Sequence, residues 1–155
     1  MNPDLVIDDD HELVVPSSLV GRTVPALTPE SEPFWEGLGR GAIVLQRCTE
    51  CRRWTYLPTG GCPWCGAPEL THEAVDGRGE LYSFTVCHLE FGPGTQPPYV
   101  VGIIAPDCEP GLRIVTNVVG CRIRDVRIAA PMEPVIVPAE TGHLLLYRPA
   151  ATGPT

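Results

Sequence analysis

Four cysteines, spaced as Cys48-x2-Cys51 and Cys62-x2-Cys65 with ten residues between the pairs, are the side chains best placed to do chemistry. Two CxxC knuckles let each pair of thiolates approach one ion, and the connecting loop joins them into a tetrahedral four-thiolate set. Pro63 and Gly66 suit the tight turn of the second knuckle, and Gly60 and Gly61 supply permissive backbone just before it. Trp54, Tyr56 and Trp64 are expected to pack around the sulfurs. Four cysteine ligands leave no open coordination position, so the expected role is a structural Zn2+, not the activation of water. Such a site contributes about 10–16 kcal/mol of folding free energy at neutral pH. Rubredoxin-like iron and a redox dithiol pair are the alternatives. A redox CxxC, however, ordinarily sits as a single pair in a βαβ pattern that this sequence lacks.

No catalytic constellation accompanies the cysteines. Cys87 and His88 are adjacent, but neighbours on a strand point to opposite faces and cannot form a dyad. Cys108 lies in the turn Pro106–Pro110, where Asp107 and Glu109 should raise its pKa. Cys121 follows Gly120 at a strand end and reads as packing. His11, His72 and His143 are scattered, and neither Asp125 nor Glu140 has a recognisable partner. Gly77-Arg78-Gly79 precedes a strand, not a helix, and so reads as a turn and not a phosphate cradle.

The elements that must position the cysteines follow from the pattern on either side. Residues 1–27 form an arm with an acidic start and a short apolar stretch, Leu13–Pro16, too small for a core of its own. Such an arm is either disordered or laid against something else. Residues 28–41 read as a short helix with Thr28 or Ser31 as N-cap, Pro29 in the first turn, Phe34 and Leu38 on one face, and Gly39 and Gly41 as a stop. Residues 42–70 hold the ribbon, led in by a strand over 42–46. Residues 71–149 are almost wholly β in pattern, with strands near 80–89, 99–105, 112–119, 134–138 and 144–148 separated by Pro/Gly-rich turns. Residues 150–155 are a tail. The fold class is therefore mainly β: an N-terminal helix, a four-cysteine zinc ribbon, then a five-stranded OB-fold β-barrel, with a sandwich as the competing topology.

Three of these strands are apolar on both alternating faces, at 99–104, 112–119 and 144–147. A small barrel needs only one apolar face per strand. The excess points to a covering partner such as another subunit, unless the ribbon and the N-terminal arm supply the cover.

Charge narrows the classes of partner. The 155 residues carry a formal net charge of -8, and every basic residue is Arg. An acidic chain with no basic cluster lacks the electrostatic footprint of nucleic-acid or anionic-lipid binding. No apolar run is long enough to span a bilayer, and the acidic N-terminus is unlike a signal peptide. Metal-type cysteine spacing in such a chain fits a cytoplasmic location.

Taken together, the segments Glu32–Leu38, Leu45–Cys48, the two knuckles, Gly77–Thr85, Pro97–Val101, Thr116–Cys121 and Val126–Ile128 carry a resemblance that covers roughly residues 29–148. The chain resembles the bacterial and archaeal zinc-ribbon/OB-fold proteins, long catalogued as a domain of unknown function, that accompany thiolase-like enzymes. The stretch 27–37 is similar to a branch linked to steroid side-chain breakdown. The resemblance implies a non-catalytic accessory subunit of a thiolase-superfamily, lipid-transfer-protein-type aldolase or acyltransferase acting on acyl-CoA thioesters. It also implies a hetero-oligomer, of two plus two subunits, in which a CoA thioester is shared with the partner. Other members are joined to hydratases, so a subunit of an acyl-CoA hydratase is one alternative. A single-stranded nucleic-acid module, with Tyr82, Phe84 and Tyr99 stacking bases, is another. Only Cys48, Cys51, Cys62 and Cys65 carry over from the family as site residues.

Overall fold

The computed structural model describes residues 10–151. The first nine and last four residues, where Asp8 and Asp9 of the expected acidic start and most of the tail fall, lie outside the described residues. The elements in chain order are β1 (Glu12–Leu13), β2 (Leu19–Thr23), α1 (Glu32–Gly39), β3 (Ile43–Cys48), β4 (Trp54–Thr55), β5 (Leu70–Val75), β6 (Gly79–Cys87), β7 (Tyr99–Pro106), β8 (Ile114–Val118), β9 (Cys121–Arg122), β10 (Pro131–Thr141) and β11 (His143–Pro149).

Helix α1 begins later than the capping residues suggest. The Thr28 carbonyl accepts the N–H groups of Ser31 and Glu32 and closes a turn first. The Ser31 hydroxyl is occupied by the Thr28 backbone N–H at 2.9 Å, so it makes no cap bond to the helix. Pro33, not Pro29, takes the first-turn position, where the missing N–H costs nothing. The end conforms to expectation. Gly41 has φ +76°, Ala42 N–H reaches the Gly37 carbonyl, and Gly41 N–H reaches that of Leu38, a Schellman closure.

The ribbon is a three-stranded antiparallel sheet, β4-β3-β5. Strand β5 pairs with β3 from Leu70 opposite Cys48 to Val75 opposite Ile43, a strand the polar run Thr71-His72-Glu73 concealed. Downstream, β6-β7-β8-β11-β10 follow the strand order of an OB barrel, and β10 pairs back to β6. Two seams are thin. Strand β10 meets β6 at Pro131–Glu80 and Met132–Gly79, and β11 meets β8 in parallel at Tyr147–Val118, so the barrel is partly open. Strand β8 starts two residues later than expected because Leu112 N–H closes a turn onto the Glu109 carbonyl. Strand β10 is longer than expected because it pairs with β11 over Met132–Pro138, with β6 at one end and with β2 at the other.

The barrel interior is filled by Leu81, Val100, Ile104, Ile114, Val118, Met132 and Tyr147. A second cluster joins α1 (Phe34, Leu38), the ribbon (Ile43, Leu45) and the barrel (Leu112). Tyr56 and Leu145 border both clusters, so the two cores are continuous.

The described part of the arm lies against the barrel. Its Glu12–Leu13 pairs with β9, and β2 lies parallel to the end of β10. Val15 and Leu19 cover Val119, Val137 and Leu146 on the outside of the barrel. Part of the excess apolar surface noted in the sequence is thus covered from within the chain. Among the described residues, no helix is long and apolar enough to cross a membrane.

Tyr147 is fully buried and donates its hydroxyl to the Gly77 carbonyl at 2.9 Å. Burial, with Tyr56, Cys108 and Asp76 nearby, pushes its phenol well above the ordinary value and keeps it a donor. Tyr147→Phe leaves that carbonyl unpaired and is expected to lower the unfolding free energy by about 1–3 kcal/mol, measured as a reduced urea midpoint at unchanged slope.

Candidate functional site

Strand β3 delivers Cys48 at its last position, and the turn after it carries Cys51, whose N–H points at the Cys48 sulfur at 3.4 Å. The second knuckle is folded by two backbone bonds, Cys62 N–H to the Ala67 carbonyl and Gly66 N–H to the Cys62 carbonyl. Each knuckle ends in a left-handed residue directly after its second cysteine, Arg52 at φ +61° and Gly66 at φ +79°. Glycine adopts that conformation freely. At position 52 an arginine adopts it instead, its guanidinium 3.4 Å from Glu73 on β5.

All four sulfurs lie within 4.8 Å of one another, with Cys48–Cys65 at 3.7 Å and Cys51–Cys62 at 3.6 Å. Tetrahedral zinc with Zn–S bonds of about 2.3 Å requires sulfurs about 3.8 Å apart, so the donor set fits that ion in number, chemistry and spacing. Cys48 and Cys62 are buried, Cys51 is half-buried and Cys65 faces solvent. Burial pushes the Cys62 thiol up, but backbone N–H groups of Cys65 and Trp64 and the neighbouring sulfurs outweigh it and bring it down to about 6.

The aromatic residues of the ribbon engage arginines, backbone and core. The Arg47 guanidinium lies over Trp54 at 4.8 Å, and Tyr56 packs edge-on to Phe34 in the core at 5.7 Å. Trp64 carries the Arg53 guanidinium on its ring at 3.4 Å and donates its indole N–H to the Trp54 carbonyl at 3.0 Å. Arg53 in turn binds Glu109 at 2.9 Å, and Glu109 also accepts the Trp54 N–H at 3.3 Å. Glu109 comes from the loop between β7 and β8, so this cluster ties the ribbon to the barrel. Gly111 lets the loop pass beneath it, since a Cβ there would stand 3.0 Å from the Trp64 ring. The Arg53 hydrogen bond, aided by the Trp54 N–H and opposed by burial, holds the Glu109 carboxyl below its usual range. The sequence offered no signal for this role, because Glu109 sits in what reads only as an acidic turn.

A second polar post stabilises the ribbon loop. The buried Gln46 side chain donates to the Thr59 carbonyl at 3.0 Å and accepts the Thr59 N–H at 2.8 Å. Among the described residues, every buried side-chain polar atom has a partner.

The remaining titratable groups do not converge on the cysteines. Cys108 is raised by burial first, then by Asp76, Glu109 and Asp107, the direction its acidic neighbours implied. Cys121 is raised by burial and by Asp125. Glu140 does have a partner, the Gly21 N–H of the arm at 3.1 Å. His72 meets the Glu30 carbonyl at 3.4 Å, and His11 lines an open groove of about 620 Å³ between the arm and the barrel, together with Leu19, Arg22, Pro98 and Tyr99.

Comparison with known proteins follows the same division of the chain. Residues 35–71 match the family model of the ChsH2 rubredoxin-like zinc ribbon domain, and residues 72–137 match that of the ChsH2 C-terminal OB-fold domain. A DUF35 domain-containing scaffold protein of Methanocaldococcus jannaschii is 33% identical over 101 residues, 62% of this chain and 68% of that protein. The chain belongs to the DUF35 family. A probable enoyl-CoA hydratase alpha subunit of Thermomonospora curvata is 31% identical over 111 residues, 72% of this DUF35 chain. The match spans only 34%, about a third, of that relative's length. Among solved structures, a chain of the Ltp2-ChsH2(DUF35) aldolase superposes with a TM-score of 0.74 at 29% identity, covering 83% of this chain and 100% of that one. A DUF35 protein of unknown function from Sulfolobus solfataricus shares the fold, with a TM-score of 0.57 at 17% identity over 79% of this chain and 86% of that one.

Two outcomes test the DUF35 ribbon. Metal analysis of the purified protein should find one zinc per chain, and Cys62→Ser should lose it together with a large drop in melting temperature. Glu109→Gln should destabilise the chain by about 1.5–3 kcal/mol at neutral pH. A carboxyl whose folded pKa is depressed stabilises above its unfolded pKa and stops doing so as pH falls through the folded value. The difference between wild type and variant, read from denaturant melts, should therefore shrink as pH drops below the ordinary glutamate range.

Proposed function

We propose that the chain is a non-catalytic accessory subunit that scaffolds a thiolase-superfamily, lipid-transfer-protein-type aldolase or acyltransferase acting on acyl-CoA thioesters, in steroid side-chain or lipid degradation. The observation that carries this reading is the match across the full length of a chain of the Ltp2-ChsH2(DUF35) aldolase. The relative described as a scaffold protein supports it at the level of role. Cys48, Cys51, Cys62 and Cys65 hold a structural Zn2+ that fastens the ribbon, with no coordination position left for substrate. Acid-base and nucleophilic groups then belong to the partner, in a two-plus-two hetero-oligomer in the cytoplasm that shares the CoA thioester between its subunits.

A second reading, a subunit of an acyl-CoA hydratase, is favoured by the match to the Thermomonospora relative. The nucleic-acid reading is weakened by geometry as well as charge. Phe84 packs toward the barrel core, and Arg113 lies over the Tyr82 ring at 3.9 Å, so two of the three expected stacking aromatics are already engaged.

Co-expression with an Ltp2-type aldolase subunit and with an enoyl-CoA hydratase subunit, followed by size-exclusion chromatography with light scattering, separates these readings. The expected outcome is co-elution with the aldolase-type subunit at equal stoichiometry, with carbon–carbon cleavage of a β-hydroxyacyl-CoA only in the complex. Co-elution with the hydratase alone would establish the second reading. Turnover by the isolated chain would refute the accessory role.

A further inference from the structure

Buried residues alternate along β7 and β8: Val100 and Ile104 on one strand, Ile114 and Val118 on the other, all within the barrel core. Their neighbours Val101, Ile103, Val115 and Asn117 therefore face outward. The register sets Ile103 opposite Val115 and Val101 opposite Asn117, so the outward side chains form adjacent rows. Tyr82, at the bulge of β6, stands on the same outer face and is 52% exposed, while Val115 is 63% exposed. The arm reaches this surface only at its Asn117 edge, through Arg22, since Val15 and Leu19 lie against Val119, Val137 and Leu146.

Two arginines mark its ends. Arg113, at the start of β8, lies over the Tyr82 ring at 3.9 Å and hydrogen-bonds the Pro110 carbonyl at 2.9 Å. Arg22, from β2, donates to the Asn117 side chain at 2.8 Å. Positions 113 and 117 are roughly 13 Å apart along the strand. Arg47, Arg53 and Arg148 pair with carboxylates, but among the described residues neither Arg22 nor Arg113 forms an ion pair. Uncompensated cations flanking an apolar strip, in a chain of net charge -8, are complementary to a surface with apolar side chains between carboxylates.

We propose that the outer face of β6–β7–β8, centred on Val115 and bounded by Arg113 and Arg22, is the docking surface for the partner enzyme subunit, which meets it with an apolar ridge flanked by carboxylates. The inference rests on the accessory-subunit reading and adds where the contact is made. Apolar contact at Val115 supplies the affinity, and the arginines set orientation and association rate.

The experiment measures binding of the full chain to an Ltp2-type aldolase subunit, taken from two sources. The variants are Val115→Arg, Arg113→Glu and, on a loop outside the face, Phe91→Ser, where the native side chain is 71% exposed. Zinc content and melting temperature establish that each variant is folded. The expected result is a loss of about 100-fold for Val115→Arg and about tenfold for Arg113→Glu, with Phe91→Ser unchanged. Wild-type binding that falls with added salt, and falls less steeply in Arg113→Glu, would support the charge assignment. Should wild type bind while folded Val115→Arg binds equally well, the docking surface lies elsewhere and the accessory reading survives. Should wild type bind neither aldolase, both ideas fall together. Self-association, or oligonucleotide binding, that Val115→Arg abolishes would overturn the partner assignment in favour of that occupant.

Discussion

The ribbon cannot hold itself. Its three strands and knuckles enclose too little apolar surface to offset the conformational entropy of ordering the segment. Two constraints supply the difference. One is the four-sulfur cluster, which gathers both knuckles onto a single point. The other is the shared core in which Ile43 and Leu45 of β3 pack with Phe34 and Leu38 of α1 and Leu112 of the barrel. Because β3 ends in Cys48 and begins in that core, the same six residues transmit metal binding into the barrel packing.

The barrel's surroundings are used unequally. One outer side is closed by the arm, whose β2 runs parallel to β10 and whose Val15 and Leu19 fill a small apolar cluster. The α1 side is closed by Phe34 and Leu38, whose cluster Trp35, Leu145 and Ile136 also pack against. The side made by β6, β7 and β8 is left with apolar residues half-covered and, among the described residues, with its arginines outside any ion pair. Covering two sides from within the chain and leaving the third apolar concentrates the sites of association on one surface.

Regular spacing made much of this architecture legible. The CxxC pairs announced the four-sulfur site, and alternating apolar runs located all five barrel strands, though their ends moved by a few residues. What stayed hidden depended on partners far away in sequence. Strand β5 is polar at Thr71, His72 and Glu73, and only its pairing with β3 makes it a strand. The Ser31 hydroxyl was diverted to Thr28, which delayed the helix. Glu109 gained its role because Arg53, 56 residues away, reaches across the ribbon–barrel junction. The arm pattern gave no register, since β1 and β2 are too short to show a period and take their places from β9 and β10.

The arm's pairing spans most of the chain: Gly21 on β2 meets Glu140 at the end of β10, a separation of 119 residues. During synthesis the N-terminal strand therefore emerges long before the strand it must join. At translation rates of about 5–20 residues per second, it waits on the order of ten seconds without its partner. Order of synthesis thus holds the β2–β10 pairing back until the far end of β10 has been made, whereas β1 can meet β9 about twenty residues earlier.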